Sequence, residues 1–187
     1  MFKRTCKLLS IFIITASSPP IADAKISLSN GDDVVLVGAG MGSRMIHYGH
    51  FETEVYLHHS DLDLKIRNLC DEGNTPGFRP HPSRNQEEQY AFPGAKELIH
   101  ESLKAGTKPK GHFPTPDQWL SNLHAEVILC FFGFNSSFDG PRQAERFKKE
   151  LDAYTKHLNS MPFGLSTPQI VLISPTAVES VPGVTDG

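Results

Sequence analysis

Cysteine is scarce in this sequence: three in 187 residues, too few for a small domain stapled by disulfides. Charge of one sign is not in excess, since 18 basic against 21 acidic side chains leave a net charge of −3. Nucleic-acid binders carry a clustered basic surplus, so this balance argues against such a partner. It also gives no basis for attraction to an anionic membrane surface. No apolar run reaches the roughly 20 residues that a bilayer-spanning helix needs. There is no H-E-x-x-H, no Cys-x-x-Cys, no internal repeat and no low-complexity tract. No metal and no cofactor are therefore expected. What remains, 39% hydrophobic and 21% charged residues, is the composition of an ordinary globular protein. The length suits one domain of roughly 100–200 residues.

The first residues read as a leader. Lys3, Arg4 and Lys7 form a basic head, Leu8 to Ile14 form an apolar run, and Ala22-Asp23-Ala24 has the form of a cleavage site. Together they predict a secretory signal peptide over residues 1–24 and an exported protein, periplasmic or secreted, with no membrane span after cleavage. Cys6 leaves with the leader. Cys70 and Cys130 remain in the mature part, both near apparent strand ends. An oxidising compartment would permit them to pair, but nothing in the sequence brings them together, and two separate buried thiols are expected.

Residues 26–187 alternate strand-like and helix-like segments. Asp33 to Val37 is a β-branched apolar run ended by glycine, as suits a strand buried on both faces. From Ser43 to about His58, apolar residues recur at spacings of three and four, which predicts an amphipathic helix. Leu62 to Leu69 alternates apolar and polar residues, as in a more exposed strand. Glu126 to Phe132 and Pro168 to Ser174 read as the third and fourth strands. Pro141 to about Leu158 reads as a charged helix with Phe147, Leu151 and Tyr154 on its inner face. Between them lies a proline-rich stretch, 70 to 115, expected to be a long loop with one helix from Gly94 to Lys104. Asp117 to Leu120 predicts a short helix, capped by Asp117 or Thr115, with Trp119 anchored in the core. Strands separated by helices imply an α/β fold: an open parallel sheet with helices on both faces. The last residues, Pro182 to Gly187, are turn-like and supply no closing helix, so the chain is expected to be the N-terminal part of a longer protein.

Gly38-Ala39-Gly40-Met41-Gly42-Ser43 leaves the first strand and opens a helix. Dinucleotide-binding folds place their glycines there, because bare backbone lets a pyrophosphate approach. The spacing G-x-G-x-x-G is not met, however, and no carboxylate ends the second strand. A second pattern uses more of the chain: Gly38-x-Gly40 after the first strand, Arg67 to Gly73 after the second, and Phe132-Gly133-Phe134-Asn135 after the third. That order resembles the SGNH/GDSL hydrolases, whose three-layer α/β fold carries Gly-Asp-Ser, a glycine and Gly-x-Asn at these places. The resemblance implies acyl-transfer chemistry, in which convergent donors hold an oxyanion while a serine attacks. It implies Gly73 and Asn135 as oxyanion donors, Gly38 and Gly133 as the glycines of their blocks, and Arg67 as a ligand-side residue.

The nucleophile position in this pattern is Gly40, which has no side chain to attack with, and the aspartate position is Ala39. Ser43 lies about a helical turn further on. The Asp-x-x-His block of the family is absent. Several further runs resemble the N-terminal SGNH-like domain of large secreted bacterial proteins that continue into c-type haem and dehydrogenase-like modules. They are Arg44 to Thr53, Arg67-Asn68-Leu69, Asp117 to Leu120, Phe131 to Phe138 and Leu172 to Pro175. The expectation is a domain related to ester hydrolases but catalytically impaired, taking a small-molecule or carbohydrate ester as ligand, with downstream domains as possible partners. A non-enzymatic carbohydrate-binding module and a dinucleotide-binding domain are the alternatives.

The remaining polar features have plain readings. His47 and His50 lie three apart and His58-His59 adjoin the end of the expected helix, but two ligands need a third and fourth from elsewhere. His81 and His112 fall in the proline-rich stretch. Arg67, Arg79 and Arg84 bracket the loop after the second strand, where they would hold an anion or be solvated and paired. Asn135-Ser136-Ser137 fits the glycosylation pattern, which an inward-facing Asn135 would exclude.

Overall fold

The computed structural model describes residues 25–81, 87–104 and 113–176. The leader, Arg84, His112 and the final turn-like residues lie outside them. Four strands form one sheet: β1 (Asp33–Gly38), β2 (Lys65–Asn68), β3 (Ala125–Phe131) and β4 (Gln169–Ile173). Their order is β2-β1-β3-β4 and every pairing is parallel. Val34 to Val37 and Val127 to Phe131 are buried throughout, which explains why β1 and β3 read as unbroken apolar runs. At the edge only Lys65–Asn68 of the expected Leu62–Leu69 is hydrogen-bonded as strand. The alternation nevertheless holds, with Leu64 and Ile66 inward and Lys65 and Arg67 exposed.

Helices cover both faces, so the chain has the α/β architecture expected. On one face Val35, Val37, Ile128 and Cys130 pack against Leu120 of α5 (Pro116–Asn122) and Tyr154 and Leu158 of α7 (Ala144–Ser160). On the other, Val34, Leu36, Val127 and Leu129 meet Met41 of α1 (Gly40–Arg44) and Phe51 and Val55 of α2 (His50–His58). Cys70 joins this second cluster and Cys130 the first. They are free, buried thiols that belong to separate clusters.

Three elements differ from the sequence reading. The helix expected from Ser43 to His58 is broken into α1, a 3-10 turn at Met45–His47 and α2. The break falls at Gly49, whose φ of 46° is left-handed and stops a right-handed helix. The helix expected from Gly94 to Lys104 is two single turns, α3 (Ala95–Leu98) and α4 (Glu101–Lys104), because Ile99 is extended and buried. Trp119 is half-buried; Leu120 beside it is the core anchor. The cap of α5 is Thr115, which forms a capping box with Gln118. Asp117 instead meets His157 of α7 at 2.8 Å.

Buried Glu150 on α7 was invisible to a hydrophobic pattern. Its Oε1 accepts from Thr75 Oγ1 at 2.5 Å and from the Gly77 N–H at 2.7 Å, and Oε2 meets Arg146 Nη1 at 3.3 Å. A single carboxylate thereby fastens the loop after β2 to the longest helix.

Candidate functional site

Because all four strands are parallel, the segments that follow them emerge at one edge of the sheet, the edge where α/β ligands bind. Gly40 follows β1, Gly73 follows β2, Asn135 of the short α6 (Phe134–Ser137) follows β3, and Thr176 follows β4. These four residues line one cavity of about 460 Å³, together with Met41, Arg44, Glu72 and Phe134. Three of the residues singled out in sequence, Gly40, Gly73 and Asn135, are thus brought together from distant parts of the chain.

A relay of two asparagines holds the three blocks in place. Asn135 Nδ2 donates to the Asn74 carbonyl at 3.0 Å, and Asn74 Nδ2 donates to the Gly38 carbonyl at 2.9 Å. An amide nitrogen carries two hydrogens, so the bond to Asn74 leaves Asn135 a second donor. Asn74 is buried and was not foreseen; its only sequence signal is its place directly after the Gly73 turn. Gly73 has φ of 79°, and its N–H has no hydrogen-bond partner among the described residues. Gly40 is the first residue of α1, so its N–H lacks an intrahelical acceptor.

The attacking position in the cavity's wall carries no nucleophile, although the Thr176 hydroxyl and the Glu72 carboxylate line the wall elsewhere. A Cβ built on Gly40 would come no closer than 3.9 Å to anything, meeting Glu72 Cγ, so the position has room for a side chain and lacks one. The Ser43 hydroxyl is turned back into its own helix, donating to the Gly40 carbonyl at 3.0 Å. Among the described residues no histidine lines the cavity. Arg44 and Glu72 face each other at 4.0 Å, largely exposed, a pair worth little in stability.

Gly38, Gly133 and Arg67 do not line this cavity. Gly38 has φ of 137°, and a Cβ there would lie 2.3 Å from the Phe131 carbonyl oxygen, so it is a point of close strand approach. Gly133, with φ of 114°, turns the chain into α6 under Pro175. Arg67 lies on edge strand β2, exposed, donating to the Ile66 carbonyl at 3.0 Å. Arg79 is buried elsewhere, beneath the same loop. At the β1 turn, Asn68 Nδ2 donates to the Gly42 carbonyl at 2.8 Å, and a Cβ on Gly42 would strike Cys70 Sγ at 2.3 Å. Gly42 is therefore demanded by packing. The five residues of α1 give less than two turns of aligned peptide dipoles.

Among the described residues no group of three His, Cys, Asp or Glu could hold a metal ion, and no helix is long and apolar enough to cross a membrane. His58 faces Glu54 at 3.5 Å on the surface of α2. Burial pushes both thiols up, Cys70 and Cys130 alike to about 12, with the Arg79 guanidinium acting in the opposite direction. In comparisons with known proteins, no family model, no curated protein and no solved structure matches this chain.

Proposed function

We propose that this chain is an exported ligand-binding domain of the SGNH/GDSL-hydrolase type that has lost ester hydrolysis and kept carbonyl recognition. One observation carries the reading: Gly40, Gly73 and Asn135, taken from three separate turns, line one cavity at the carboxyl edge of the sheet. In such a site the Gly73 N–H and the remaining Asn135 amide hydrogen donate to a carbonyl oxygen, the ground-state half of oxyanion stabilisation. The other half of acyl transfer, a hydroxyl with a histidine beside it, has no counterpart among the described residues: Gly40 stands at the attacking position, Ser43 bonds its own helix, and no histidine accompanies the Thr176 hydroxyl on the wall. The ligand class is an ester or carboxylate group on a small molecule or carbohydrate.

The dinucleotide alternative is less well supported. It needs a helix able to face a pyrophosphate and an acidic residue for a ribose, whereas α1 has five residues and β2 ends in Asn68.

The test is hydrolysis of short-chain p-nitrophenyl esters by the unaltered chain and by Ser43→Ala. The unaltered protein is expected to release nitrophenol no faster than the buffer blank. Turnover that disappears in Ser43→Ala would refute the proposal, since Ser43 would then be a working nucleophile.

A further inference from the structure

A second cavity, of about 200 Å³, lies on the other side of the Asp71–Gly73 turn. Its wall includes Val37, Leu69, Asp71, Arg79, Phe113 and Tyr154. The anomaly here is electrostatic. Arg79 is only 6% exposed, with its guanidinium 5.1 Å from the centre of the Phe132 ring and 5.5 Å from that of Tyr154. Its Nη1 donates to the carbonyls of Thr75, Pro76 and Phe78. Its Nη2 is buried with no well-aligned partner, and so is the hydroxyl of Tyr154, a residue 1% exposed whose polar neighbour is the Arg79 guanidinium itself.

No carboxylate oxygen lies within 4.0 Å of Arg79 among the described residues. Glu150, the buried acid nearby in the chain's packing, is already matched with Arg146. Buried charges are ordinarily paired, because burying one alone is costly and carbonyl dipoles or ring faces offset only part of the loss. A guanidinium nitrogen and a phenol hydroxyl that have no well-aligned partner beyond each other, side by side behind one cavity, describe an incomplete anion site.

We infer that this second cavity binds a small free monocarboxylate, one oxygen taken by Arg79 Nη2 and the other by the Tyr154 hydroxyl, with an apolar tail against Val37, Leu69 and Phe113. Both donor atoms lie just behind the cavity surface, so entry requires side-chain rotation of the kind common on binding, with the sheet unmoved. A carboxylate fits better than a phosphate for two reasons. One guanidinium and one hydroxyl match two oxygens and one charge, and the wall holds no lysine; its other basic group, His81, has its ring against Phe113. The Asp71 carboxylate, which also lines the cavity while accepting from the Glu72 N–H at 2.8 Å, repels a dianion more than a monoanion. Burial pushes the Tyr154 phenol up, which keeps it a donor. None of this depends on the ester-site reading.

The chain carries its own reporter, since its single tryptophan, Trp119, lines this cavity. The experiment titrates the whole protein with acetate, butyrate and inorganic phosphate at constant ionic strength, following Trp119 fluorescence. Saturable changes are expected with both carboxylates in the millimolar range, butyrate binding about tenfold more tightly because its extra methylenes are buried. Tyr154→Phe is expected to weaken butyrate about tenfold while leaving the ligand-free melting temperature equal or higher, because it removes a hydroxyl without a well-aligned partner. Arg79→Met is expected to abolish the response. Should Arg79→Met fail to fold, Tyr154→Phe decides alone. No saturable change with either carboxylate, a response to phosphate alone, equal affinity for all three anions, or unaltered butyrate binding by Tyr154→Phe would overturn the inference.

Discussion

The two cavities that flank the Asp71–Gly73 turn are built in opposite ways. The first is framed by backbone: glycines at 40 and 73, one asparagine amide and an exposed ion pair. The second is framed by buried side chains in a largely apolar wall, among them a guanidinium whose Nη2 and a phenol whose hydroxyl have no well-aligned partner. The first can polarise a neutral carbonyl but has glycine at the attacking position; the second offers a buried guanidinium. The difference teaches that one loop after β2 serves both, presenting its turn to one side and Arg79 to the other. The loop's attachment therefore matters to each.

That shared attachment is the place to break the comparison. Glu150→Ala leaves the Thr75 hydroxyl, the Gly77 N–H and Arg146 without their common acceptor. Removing one partner from a buried charged network costs about 3–5 kcal/mol, and urea unfolding is expected to show a loss of that size. A loss below about 1 kcal/mol would mean that the loop is held by other contacts.

A smaller effect separates the two glycines of the first turn. Gly38→Ala forces a Cβ to within 2.3 Å of a backbone carbonyl oxygen at positive φ. A cost of about 1–3 kcal/mol is expected from strain alone. Gly40→Ser enters open space, and within about 0.5 kcal/mol of no change is expected. Equal losses at the two positions would contradict the assignment of Gly38 to strand packing and Gly40 to the cavity wall.

The thiols sharpen the contrast further, since Cys70 lines the second cavity and Cys130 lies behind it in the core. Their folded-state values, about 12 against 9.0 for a free thiol in water, mean that the folded protein holds these protons more tightly than the unfolded chain. The stability they contribute is complete below pH 9 and is lost as pH climbs from there towards 12. A Cys70→Ala, Cys130→Ala variant is expected to show a flatter decline of unfolding free energy across that window. Identical slopes would show that other groups govern it.

Much of the scaffold was legible because burial on both faces writes itself as unbroken apolar runs, as in β1 and β3. The amphipathic α7 was legible from its period. What the pattern hid were local decisions made by tertiary packing: the stop at Gly49, the extended Ile99 between two helical turns, and Trp119 left at a cavity wall. The site was half visible. Gly40, Gly73 and Asn135 could be aligned with a resemblance, but Asn74 and Glu150, which hold them, are polar residues whose burial no hydrophobic period announces. Arg79 could be placed in the correct loop, and only the structure reveals that its charge is buried with no carboxylate beside it among the described residues.

The central claim is that the glycine-framed cavity binds a carbonyl without reacting with it, and nuclear magnetic resonance reads both halves in one tube. With nitrogen-labelled protein and an O-acetylated monosaccharide, the Gly73 backbone amide and the Asn135 side-chain amide are expected to shift progressively while free acetate stays at the level of the protein-free control. Acetate accumulating above that control, or both amides unmoved at saturating ester, would contradict the claim.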